Sequence, residues 1–118
     1  MALNVLATAN EVAEAWAALG DVYSLHTGDP GSAGTANEVT GGGYERQSTT
    51  WGTASGGKVT GSQMTFAVPD GDVTHMCRWS DDGTTLRDII DTVDATVSPA
   101  GELKVTPSSG DGLYVAWS

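Results

Sequence analysis

Two histidines, one cysteine and two dense aspartate clusters are the residues of this chain whose types could do chemistry. His75 and Cys77 stand at i, i+2 in VTHMCRW, so an extended backbone puts both on one face, where they could share a cation. A metal centre needs three or four convergent ligands, and no second pair completes this one. His26 and His75 therefore read as structural histidines, and Cys77 as a buried thiol in an apolar strand. As the sole cysteine, Cys77 has no partner for a disulfide within the chain. Asp70-Gly71-Asp72 and Asp81-Asp82-Gly83 suggest calcium. They lack the alternating spacing and distant glutamate of a calcium loop, and beside glycine they read as turn residues that bond their own backbone. GTASGG, around Ser55, lacks the G-x-S-x-G order of a nucleophile elbow. No catalytic, cofactor or metal residue is assigned, and the chain reads as no enzyme.

The triple glycine in EVTGGGYERQSTTWG, Glu38 to Gly52, poses a separate question. A phosphate-cradling loop needs a helix after it and often a lysine. The residues after Gly43 are instead YERQSTTW, rich in threonine and aromatics, which is strand chemistry. The glycines therefore mark a bulge or a close backbone crossing. On such a strand Tyr44 and Arg46 share a face. Arg46 could stack on Tyr44 or Trp51, or pair with a carboxylate, as an internal brace or a subunit contact. Trp16, Tyr44, Arg46 and Trp51 are the candidate partner contacts. Trp51, Trp79, Tyr44 and Trp117, if exposed, could instead form a sugar-stacking platform.

Periodicity predicts the elements that position these residues. Thr8 and Glu11 fit a capping box, Val12, Ala15, Trp16 and Leu19 share a helical face, and Gly20 suits a left-handed C-cap. The spacing predicts a helix over about 9–19, too short to persist alone, whose Trp16 face docks on its own sheet or on a neighbouring subunit. DVYSLHT reads as a strand, with Tyr23 and Leu25 on one face, and Asp29-Pro30-Gly31 as a turn. KVTGS, QMTFAV, VTHMCRW, ELKVT and GLYVAW read as further strands, separated by the PDGD and SDDG turns. The stretch TLRDIIDTVDATV fits a helix or strands, and its β-like flanks favour strands. The prediction is a single domain over 1–118: mainly β, an antiparallel β-sandwich or partly open barrel over about 21–118, with one short N-terminal α-helix.

The chain has 118 residues and a formal net charge of -10. That length suits one domain with a self-sufficient core. The charge repels phosphate backbones and anionic lipid, so neither nucleic acid nor membrane is an expected partner. No stretch approaches the ~20 apolar residues of a membrane helix. MALNVLATAN lacks the basic start of a signal peptide and reads as part of the mature fold.

Leu25 to Gly52 resembles a family of small tailed-bacteriophage virion proteins, especially from phages of actinobacteria. The resemblance rests on Leu25, Thr27, Asp29, Pro30, Glu38, Val39, Gly41, Gly43, Tyr44, Arg46, Gln47, Trp51 and Gly52, about a quarter of the chain. It implies a non-enzymatic structural role in several symmetric copies. The expectation it supports is a capsid decoration protein on the outer surface of the phage head, docked on the major capsid protein as a homotrimer. The alternative is a minor tail or tail-tip component with a glycan-binding role.

Overall fold

A computed structural model describes residues 6–91, 95–97, 100–109 and 113–117. Among these residues one helix, α1 (Leu6–Ala18), precedes nine strands. The strands are β1 (Val22–His26), β2 (Gln47–Ser48), β3 (Met64–Val68), β4 (Gly71–Val73), β5 (His75–Trp79), β6 (Leu86–Ile90), β7 (Ala95–Val97), β8 (Gly101–Ser109) and β9 (Leu113–Trp117). They form a sheet of order β2-β1-β5-β6, a sheet of order β3-β8-β9, and a β4-β7 pair, with every pairing antiparallel. The mainly β prediction with one N-terminal helix holds, and the ambiguous 84–97 stretch is strand over Leu86–Ile90 and Ala95–Val97.

The two larger sheets share one core. Tyr23, Leu25, Met76 and Ile90 of the first meet Met64, Phe66, Val68 and Val105 of the second, joined by Val39 and Val73. The arrangement is a sandwich, and the sheets do not close into a barrel. The register explains why β1 and β5 are buried on both faces: Tyr23 pairs with Arg78 and Leu25 with Met76 on the core side, while Ser24 pairs with Cys77 on the other.

The other side is covered by the excursion from Thr27 to Arg46. Asp29 opens it with an Asx turn, its Oδ1 accepting the Gly31 N–H at 2.9 Å. The chain returns as an edge partner of β1: Thr27 N–H donates to Asn37 O, and Val39 N–H to Leu25 O. It then leaves again through Gly41, Gly42 and Gly43, all at positive φ, before Gln47 and Ser48 rejoin β1. A Cβ at Gly42 would lie 2.9 Å from the Pro69 nitrogen, so this glycine also serves a close crossing. No helix begins at Tyr44, but the strand expected over YERQSTTW is only Gln47–Ser48 plus a lone bridge at Trp51. The three glycines carry the chain past the edge, which shortens the ladder.

Several local expectations are corrected. α1 already includes Thr8, so Thr8 and Glu11 are not a capping box at its start. Gly20 is absent from the left-handed residues; it is required because a Cβ there would collide with the Trp79 carbonyl. The buried helix face is Ala13 and Ala17, with Trp16 beside them, whereas Val12 and Leu19 are exposed. KVTGS forms isolated bridges in place of a strand. Asp70-Gly71-Asp72 is partly strand, because β4 pairs with β7. VTHMCRW breaks at Thr74, whose N–H turns aside to donate to His26 O. Residues 1–5, in the MALNVLATAN segment read as mature, lie outside the described residues.

Candidate functional site

The glycine-rich excursion leaves one buried backbone group of β1 without a strand partner, the Leu25 N–H. Tyr44 supplies the missing acceptor, its hydroxyl oxygen taking that N–H at 2.9 Å. The hydroxyl then donates to Glu38 Oε2 at 2.8 Å. Arg46 closes the network with two bonds to Glu38, Nε to Oε2 and Nη2 to Oε1, each 3.0 Å. Its guanidinium lies over the Trp79 ring, 4.3 Å from the centroid. Burial pushes the Glu38 carboxyl up, but the bonds from Arg46 and Tyr44 outweigh it and hold the group below its usual range. Burial pushes the Tyr44 hydroxyl well above its ordinary value. Tyr44 also stacks on Phe66, 6.4 Å between centroids. Arg46 thus pairs with a carboxylate and stacks on Trp79, on neither of the two aromatics expected.

A second network runs beneath it. Trp79 Nε1–H donates to Ser24 Oγ at 2.9 Å, Ser24 lies 2.8 Å from His26 Nε2, and His26 Nδ1 lies 2.8 Å from Ala36 O. Ala36 O can only accept, so Nδ1 carries the proton and Nε2 accepts from Ser24. Burial pushes the His26 pKa down, and the imidazole is neutral. His75 contacts Thr74 Oγ1 and Asp91. Cys77 is fully buried, and burial pushes its thiol up to about 11. A thiol held protonated is a poor nucleophile and a poor ligand. Among the described residues no three His, Cys, Asp or Glu side chains converge to hold a metal. No described helix is long and apolar enough to cross a membrane.

Trp16 and Trp51 form a third contact, edge to face with centroids 5.1 Å apart. Arg78, fully buried on β5, locks them to the sheet. Its Nε donates to Asp88 at 2.6 Å, its Nη1 to the carbonyls of Trp16 and Gly20, and its guanidinium lies 4.0 Å from the Trp16 ring centroid. Trp51 Nε1 and Arg87 Nε donate to the Gly20 and Leu19 carbonyls. The helix has no basic residue in its last turn, so β5, β6 and the Trp51 segment supply the donors its C-terminal carbonyls need. On the helix's inner side Asn10 and Glu14 accept the Gly57 and Ala54 N–H groups.

All four candidate contact residues are therefore half-buried and engaged within the chain: Tyr44 and Arg46 in the Glu38 network, Trp16 and Trp51 under α1. The sugar-stacking platform does not form from them, because Trp79 is buried under Arg46 and Tyr44 lies against Phe66. Trp117 lies in β9, whose side chains are outside the described ones. Sequence reasoning missed Glu38 and Arg78 as organising residues; a lone cation inside an apolar strand was the available signal for Arg78.

Residues 5–106 match the family described as Podophage GP4 fiber I protein gp80. The chain belongs to that family, and so to a family of phage structural proteins. The tailed-phage resemblance is met at that level; the match is to a fibre family and does not single out actinobacterial phages or capsid decoration. No curated protein and no solved structure matches the chain.

Proposed function

We propose that the protein is a non-enzymatic building block of a virion fibre of a tailed phage. The family match over residues 5–106 carries this reading. The geometry supports it: most residues of the recognised motif with a visible role, Leu25, Glu38, Val39, Tyr44 and Arg46, close the edge of β1 instead of opening a cleft. Both histidines and the thiol are also engaged within the fold.

The competing reading is a decoration subunit on the outer surface of the head, bound to the major capsid protein as a trimer. A compact acidic sandwich of this size suits it. Immunogold electron microscopy of intact virions, with an antibody raised against the purified protein, separates the two. Gold on the tail or its fibres is the expected result. Gold spread evenly over the head transfers the assignment to capsid decoration, and unlabelled virions overturn both.

A further inference from the structure

The helix α1 buries alanines and Trp16 and leaves two branched aliphatics outside. Its inner face is small, Ala9, Ala13 and Ala17 with Trp16, and lies on the 54–59 segment and Trp51. The branched aliphatics Val12 and Leu19 point to solvent, 39% and 45% exposed, with exposed Ala15 between them on the same face. An ordinary surface helix puts its large apolar residues on the core and its small or polar ones outside. The alanines allow close approach to the sheet, but nothing in that packing requires aliphatics outside. The mount is also rigid, because Arg78, Arg87 and Trp51 hold the carbonyls at its end.

One hollow, of 350 Å³, opens at the C-terminal end of this row and is lined by Leu19, Asp81, Asp82 and Arg87 among others. With Glu11, which precedes Val12 and stands one turn before Ala15, three carboxylates lie beside the row against the guanidinium of Arg87, among the described residues. Asp82 is held down to about 2 by hydrogen bonds from Ser80 and Thr84, so it is charged at any physiological pH.

We propose that the Val12–Ala15–Leu19 row is a docking surface for a basic amphipathic segment of another virion protein, with aliphatic side chains on the row and lysines or arginines at Glu11 and in the acidic hollow beside Leu19. Charge selects this occupant over a second copy. A second copy would bring its own three carboxylates to the same seam, and unneutralised like charges oppose association. The inference stands whether the subunit sits on a fibre or on a head.

The test is fluorescence anisotropy of the full chain with two fluorescein-labelled model helices of about five turns. One alternates leucine and lysine faces, the other leucine and glutamate faces. The protein should bind the lysine helix and ignore the glutamate helix. The Val12→Ser/Leu19→Ser double variant should weaken binding by ~10-fold or more, as expected for two lost apolar contacts. Ile89→Ser, at a similarly exposed apolar residue elsewhere, should change nothing. Circular dichroism checks that the variants fold. Three outcomes overturn the proposal: no binding of the lysine helix, equal binding by the double variant, or an equal loss with Ile89→Ser. So does light scattering that finds a wild-type dimer abolished by the double variant, because the occupant is then a second copy.

Discussion

At the residue scale the Tyr44 hydroxyl is the point where sequence motif and fold meet. It replaces the backbone carbonyl that a continuous strand would have offered to Leu25 N–H. Tyr44→Phe removes that acceptor and strands a buried N–H, a loss of ~1–3 kcal/mol. Arg46→Lys keeps the charge but loses the second bond to Glu38 and the planar stacking. Because both partners are part-exposed, its cost is on the order of 1 kcal/mol. Urea denaturation of the two variants checks the order, and a Tyr44→Phe variant as stable as wild type would show that the edge closes by another route. Pairing of Arg46 with a carboxylate was legible as one option. Glu38 as its partner was not, because eight residues and a chain reversal separate them, and only the return of 37–39 along β1 brings them together.

At the scale of elements, strand positions with clean alternation were legible: β1 and β3 place Tyr23, Leu25, Met64, Phe66 and Val68 inside as their period demands. The helix was located to within a few residues, and Trp16 docks as expected, but Val12, Ala15 and Leu19 do not share its buried face. Periodicity places Trp16 inward with Val12 and Leu19, but only Trp16 packs there, and the rest of the inner face is Ala13 and Ala17 against Ala54 and Val59. The short β4 was hidden because Asp70-Gly71-Asp72 has turn chemistry, overridden by pairing with β7. At Val12, Leu19 and the alanines the helix makes a prediction opposite to the periodic reading. Ala13→Leu or Ala17→Leu overfills the seam with Ala54 and Val59 and should cost ~1–3 kcal/mol. Val12→Ser and Leu19→Ser should stay within ~0.5 kcal/mol, as surface changes do. Thermal denaturation that ranks the two pairs the other way round would place Val12 and Leu19 on the core.

At the scale of the whole molecule, the sandwich was legible from strand spacing, but the layer that covers its outer face was not. A Gly-, Ser- and Ala-rich segment has no period to show that it lies on a sheet, and the buried His26–Ser24–Trp79 chain exists only because it does. That layer gives the protein an acid limit. The folded state keeps His26 neutral, with its pKa pushed below the ordinary 6.5 by burial, while the unfolded chain protonates it freely. The unfolded state therefore binds more protons below 6.5. The stability from this group is complete above that pH and is lost as pH falls through the lowered folded value. Two other effects compete. Relief of the net charge of -10 favours the folded state on acidification, but at ~0.15 M salt surface charges more than ~8 Å apart are largely screened. Asp21, raised by burial and by Asp81, opposes Glu38, which is held low; both act nearer the ordinary carboxylate range, below the onset for His26. The urea midpoint should thus be flat from about pH 8 to pH 7 and fall towards about pH 5, while the His26 ring signals in NMR stay those of neutral imidazole below 6.5. A midpoint that rises over that range, with His26 titrating at 6.5 or above, would mean that the 27–46 layer does not seal this face in solution.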